Sequence, residues 1–175
     1  MSNVRRPMPQ SSEFQRRYRE FNAIWSDCYI GYAYGSIGNV PPSQEVAVQW
    51  FGENPGFTGF ASSGHSETLH VTEQSLHVVS PAEGVELLET MIVQAVHYGS
   101  NERLPAGEAL RLAKLFLAGF ESPLVLSNFR VSESSSGSYV GGHNPVVSGN
   151  GYSCEALVCC LDRQHIGYLL SIDNE

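Results

Sequence analysis

Apolar and polar positions recur along this chain with two different periods, and each change of period marks a new element. Ser12 and Gln15 have the spacing of a capping box. Phe14, Tyr18, Phe21 and Trp25 follow at i, i+4, i+7 and i+11, one aromatic stripe on a helix whose other sides carry Arg16, Arg17 and Arg19. A stripe of this kind docks a helix onto its parent sheet. Residues 27–34 are rich in β-favouring side chains and predict a strand, and 35–43, with two prolines, a loop. Val46–Phe51 predicts the next strand and Gly52–Gly56 a turn.

Between Thr68 and Val79 the period is two. A turn at Glu73–Gln74 would pair the arms as a hairpin, with Leu69, Val71, Leu76 and Val78 on the core face. Thr68, His70, Thr72, Ser75 and His77 then share the other face, with His70 opposite His77. Ser80, Pro81 and Glu83 form the strongest helix-start signature in the chain: an N-cap, a proline at the first position and an N3 glutamate. Val85, Leu88, Ile92, Ala95 and Val96 supply that helix's apolar stripe, and Gly99 its stop. Pro105 opens a second helix running to about Ala118, apolar most of the way round and therefore largely buried.

Leu124–Phe129 predicts a strand. Residues 132–151 then hold six serines and five glycines, with Tyr139, Val140, Val146 and Val147 as the sizeable apolar residues. A loop of that length is either a recognition element or disordered. The chain closes on a second hairpin, Ser153–Asp162 and His165–Asp173, turning at Arg163–Gln164. Leu157, Cys159, Leu161, Ile166, Tyr168, Leu170 and Ile172 make one face of it uniformly apolar, which predicts a central, buried position. Together these elements predict a mobile tail over 1–11 and a single α+β domain over 12–175. Its sheet should be mostly antiparallel, with two or three helices packed on one face.

Composition narrows the class. A chain of 175 residues with 42% apolar and 10% aromatic side chains can bury a real core. No run approaches the roughly 18 apolar residues of a membrane span, and no apolar leader precedes residue 25, so a cytoplasmic protein is expected. Four cysteines (Cys28, Cys154, Cys159, Cys160) show no C-x-x-C spacing, and free thiols are the expectation.

Charge is uneven. Residues 1–20 carry five arginines against Glu13 and Glu20, net +3, leaving five basic and sixteen acidic groups in the other 155 residues, net −11. A body of that sign repels phosphate backbones and anionic lipid and attracts basic surfaces. Neither direct nucleic-acid binding nor membrane binding is expected.

Candidate chemistry is sparse. His70 and His77 could form half of a metal site, with His65 or Glu67 as a third ligand, but exposed strand histidines explain them as well, and no metal is expected. Cys154 or Cys160 could pair with His143 or His65 as a nucleophilic dyad, whereas Cys159 belongs to the apolar face and is inert. Phosphate-cradling glycine motifs and the G-x-S-x-G elbow are both missing, and no cofactor is expected. Trp50, Phe51, Phe57 and Phe60, among Gly52, Gly56 and Gly59, would line a ligand groove or pack strand ends.

These features imply a non-enzymatic acidic protein that binds and inhibits a macromolecular partner with a basic surface. Small immunity proteins and anti-defence inhibitors of bacteria and phages work in this manner. Glu83, Glu86 and Glu89 on the capped helix, with Tyr139, His143 and Asn144 in the 132–151 loop, are the expected contacts. The alternative is a small enzyme or ligand-binding domain with its pocket beneath that loop, using Cys154, Cys160 and His143. A third reading makes the aromatic N-terminal helix the docking element of an assembly subunit.

Overall fold

In the computed structural model the described residues are 11–21, 29–60, 65–99, 104–134, 137–149 and 152–173. Helix α1 (Ser11–Phe21) leads into strand β1 (Tyr29–Ser36), helix α2 (Gln44–Glu53) and two short strands, β2 (Gly56–Phe57) and β3 (Glu67–Thr68). Strand β4 (His77–Val79) precedes helices α3 (Pro81–Gly99) and α4 (Glu108–Leu117). Strands β5 (Leu124–Ser127), β6 (Arg130–Ser134), β7 (Gly137–Gly141), β8 (Cys154–Leu161) and β9 (His165–Asp173) complete the order.

The closing hairpin is central, as its apolar pattern requires. Five strands run in the order β1-β9-β8-β5-β4, every pairing antiparallel. Asp162 sets the β8–β9 turn: its N–H donates to the His165 carbonyl at 3.0 Å, and its Oδ1 accepts from the N–H groups of Gln164 and His165, each at 2.8 Å. Burial alone would raise the Asp162 pKa. The N–H groups of Gln164, Glu121 and His165, with the neighbouring His165 ring, outweigh burial and hold the carboxyl below its ordinary value.

Both faces of the sheet are covered. On one, Ala156, Val158, Cys160, Leu169, Ile30 and Val125 pack against α1, α3 and α4 through Phe14, Tyr18, Leu88, Ile92, Leu112 and Phe116. The fold is therefore a single α+β unit with three helices on one face of an antiparallel sheet. On the other face Leu157, Cys159, Leu161, Tyr168 and Leu170 lie under α2, β2 and residues 146–147. The predicted aromatic stripe holds where it is described: the Phe14 ring meets Tyr32 and Phe116 edge-on at 5.2 and 5.3 Å, and the Tyr18 hydroxyl donates to the Ile30 carbonyl at 2.9 Å. The Phe21 side chain and Trp25 lie outside the described residues, as does most of the 1–11 tail.

Three expectations fail for physical reasons. Val46–Phe51 is helix α2, not a strand, because Ser43 caps it (Oγ accepts from the Val46 N–H at 3.1 Å) and Ala47 and Phe51, four apart, anchor it to the core. The 68–79 hairpin does not form. A turn exists at Glu73–Gln74, closed by the Ser75 N–H on the Thr72 carbonyl at 3.0 Å, but its arms pair elsewhere. The first arm joins β2 and residues 146–148, the second joins β5. Finally, 132–151 is not one loop, since β6 and β7 pair across it with Val131 opposite Val140 and both valines against the helices.

Candidate partner-binding surface

Strand β4 is one edge of the sheet, and its sequence neighbourhood is acidic. The Glu73 turn precedes it, and Ser80 caps α3 directly after it, its Oγ accepting from the Glu83 N–H at 3.1 Å. Glu73, Glu83 and Glu86 are exposed, and Glu89 is half-buried. Helix α2 adds Glu45, because Gln44 Nε2 donates to the carbonyls of Glu73 and Leu76 at 2.7 and 2.8 Å and ties the start of α2 to that turn. Between the carboxylates sits Val78, 56% exposed, while its neighbour Val79 is buried on the helix face. Six residues, 75–80, separate the turn from the helix, and the three that form β4 span about 10 Å at about 3.3 Å each, so both acidic groups border one short strand. His77 lies on the same edge. Burial first, then the Arg130 guanidinium, lowers its pKa against the opposing pull of Glu83.

The other expected contacts divide. Tyr139 is 43% exposed on β7, opposite Ser132 and on the far side of the hairpin from the core-facing Val140. His143 and Asn144 also make contacts within the fold. Asn144 Nδ2 donates to the carbonyls of Gln74 and Ser75 at 3.3 and 3.4 Å, and its N–H donates to the Asn128 carbonyl at 2.8 Å. His143 Nε2 lies 3.9 Å from Oε2 of Glu155, a carboxylate only 1% exposed. Oε1 of Glu155 accepts the N–H groups of Val146 and Val147 at 3.2 and 2.7 Å. Sequence reasoning passed over Glu155 and Asn128. The signal was present: an acid inside the apolar run 154–161 must have its lone pairs satisfied.

Of the alternative chemistry, the Cys160 thiol and the His70–His77 pair are not in the positions it needs. Cys160 is fully buried on the helix face, where burial and then the neighbouring Cys159 push its thiol well above the usual range. His143 faces Glu155, which by strand alternation projects to the opposite side of the sheet. Cys154, partly exposed, shares the Cys160 parity. His70 and His77 are not cross-strand neighbours, because the hairpin that would pair them is absent. Among the described residues no cluster of three His, Cys, Asp or Glu side chains has metal-binding geometry. His65 does meet Glu67, Nε2 to Oε1 at 2.8 Å, and the same oxygen accepts the Tyr152 hydroxyl. One carboxylate oxygen is thereby occupied by two donors. Trp50, Phe51 and Phe57 pack around Tyr168 with ring separations of 6.2, 5.0 and 5.4 Å, so these aromatics fill the core.

No protein-family model, no curated protein and no solved structure matches the chain. Among the described residues no helix is long and apolar enough to cross a membrane.

Proposed function

We propose that this protein is an acidic binding module that occupies and blocks a basic surface of a macromolecular partner, in the manner of small immunity and anti-defence inhibitors. The observation that carries the reading is the β4 edge: exposed Glu73, Glu83 and Glu86 bordering an exposed Val78. Apolar contact there supplies short-range affinity, and the surrounding carboxylates supply steering and selectivity. The net charge of −8 extends the attraction beyond the contact itself. Tyr139 is a second anchor of a type enriched at interfaces, on a separate element.

Affinity capture from the source cell, comparing the wild-type chain with Glu73→Lys/Glu86→Lys, tests this reading. A basic protein held at low salt by the wild type and lost from the double variant supports it. Identical capture by both chains would remove the acidic edge from the account. Of the two thiols in the enzyme reading, Cys160 is sealed in the core.

A further inference from the structure

The two edges of the main sheet are treated differently. Along β1 the chain covers its own edge: Gly31 forms an antiparallel bridge with Phe60, so tightly that a Cβ on Gly31 would stand 2.0 Å from the Gly59 carbonyl oxygen. Along β4 no strand covers the outer row of N–H and C=O groups among the described residues. Val79 is anchored in the core and β5 holds the inner edge over His77–Val79, so the strand is fixed in extended form. An edge fixed in this way is a template for one more strand.

From this geometry we infer that the partner adds an extended, basic segment to the outer edge of β4, pairing with His77–Val79. The inference rests on the acidic-surface reading and gives it a binding mode. Charge selects the occupant. A strand laid along β4 runs between Glu73 and Glu45 at one end and Glu83 and Glu86 at the other, so lysines or arginines flanking its paired residues meet carboxylates at both. A second copy of the chain would bring the same carboxylates against each other, and like charges disfavour that pairing. Valine 78 sets the central position. It projects from the face opposite Val79, beside buried Leu126, its partner on β5, and an apolar side chain on the incoming strand would cover it.

The test titrates the isotopically labelled full chain with an acetylated, amidated seven-residue peptide alternating lysine or arginine with valine. A second peptide replaces the basic residues by glutamate, and a third carries proline at its central valine. Saturable binding of the first peptide, with slowed amide exchange at His77–Val79, is the expected result. The glutamate and proline peptides should bind at least about tenfold more weakly, and Val78→Lys, a change at an exposed position, should weaken the first peptide by a similar factor. Absence of binding, or pairing of two protein copies through β4, would overturn the inference. If the peptide binds and Glu73→Lys/Glu86→Lys weakens it, but protection falls outside 77–79, strand addition fails while the acidic surface stands. If that double variant leaves peptide binding unchanged, the acidic surface fails as well.

Discussion

Replacing Asn128 by alanine should cost this fold about 4 kcal/mol, a large share of the roughly 5–15 kcal/mol that holds a domain of this kind together. Asn128 stands where β5 ends, and its side chain extends the ladder to β8. Its N–H donates to the Leu157 carbonyl at 3.2 Å, and Oδ1 accepts the Leu157 N–H at 2.6 Å. Nδ2 donates to the carbonyls of Glu155 and Asn144 at 2.7 and 2.9 Å. Alanine would orphan the Leu157 N–H and the Glu155 carbonyl inside the core, at about 1–3 kcal/mol for each buried group. The Asn144 carbonyl belongs to an exposed residue, where water can replace the lost donor. With a urea dependence of about 2 kcal/mol per molar for a chain of this size, the unfolding midpoint should fall by about 2 M. Equilibrium urea unfolding followed by tryptophan fluorescence and circular dichroism reads this directly. A fall under about 0.5 M with an unchanged slope would show that Asn128 is not the junction described here.

Other perturbations follow from the same structure. Asp162 has a depressed folded-state pKa, so its contribution is complete above the unfolded carboxyl value of about 3.9 and is lost as pH falls through the lower folded value. Asp162→Asn should therefore be less stable than wild type near neutrality, with the gap closing in urea titrations as pH falls below the unfolded carboxyl value and through the lower folded one; a gap independent of pH would contradict the assignment. Iodoacetamide on the native chain should leave Cys159 and Cys160 unmodified, because burial holds both thiols protonated and out of reach, while urea exposes both; native labelling of either, read by peptide mass mapping, would place them at the surface. Gly31→Ala should destabilise by about 2 kcal/mol or more, since Gly59 backbone occupies the space a methyl needs, and a neutral result in thermal unfolding would mean that the Gly31–Phe60 bridge does not form.

What the chain made legible, and what it hid, follows from how local each signal was. The β8–β9 hairpin was readable to the residue at its turn because period-two apolar positions and a two-residue connection specify the same register. The α3 start was readable because Ser80, Pro81 and Glu83 act within one turn of helix. Helix α2 was misread, since Val46, Val48, Trp50 and Phe51 carry β propensity, and the stronger local instruction was the cap at Ser43. The 68–79 segment failed differently. Its alternation was real, but period two does not name the partner strand, and residues 146–148 and β5 offered better ones. The β6–β7 hairpin was concealed by serine and glycine on its outer face, with only Val131 and Val140 marking the inner one. For the candidate surface, Glu83 and Glu86 were legible as exposed acids on a capped helix. Val78 was assigned to the core because the absent hairpin put it there, and the contacts of His143 and Asn144 within the fold were hidden because their partners, Glu155 and Asn128, lie distant in sequence.

The central claim, that an acidic sheet edge binds a basic partner, is tested most directly by association kinetics on a biosensor with the captured partner at two ionic strengths. Raising salt from about 0.05 to about 0.5 M shortens the screening length from roughly 14 to roughly 4 Å, so a steered on-rate should fall by at least about tenfold while the off-rate changes little. Glu73→Lys/Glu86→Lys should lower the low-salt on-rate by a similar factor, and Tyr139→Ala should act mainly on dissociation if β7 joins the interface. An on-rate indifferent to salt and to the glutamate reversals would contradict the account and move the interface off the β4 edge.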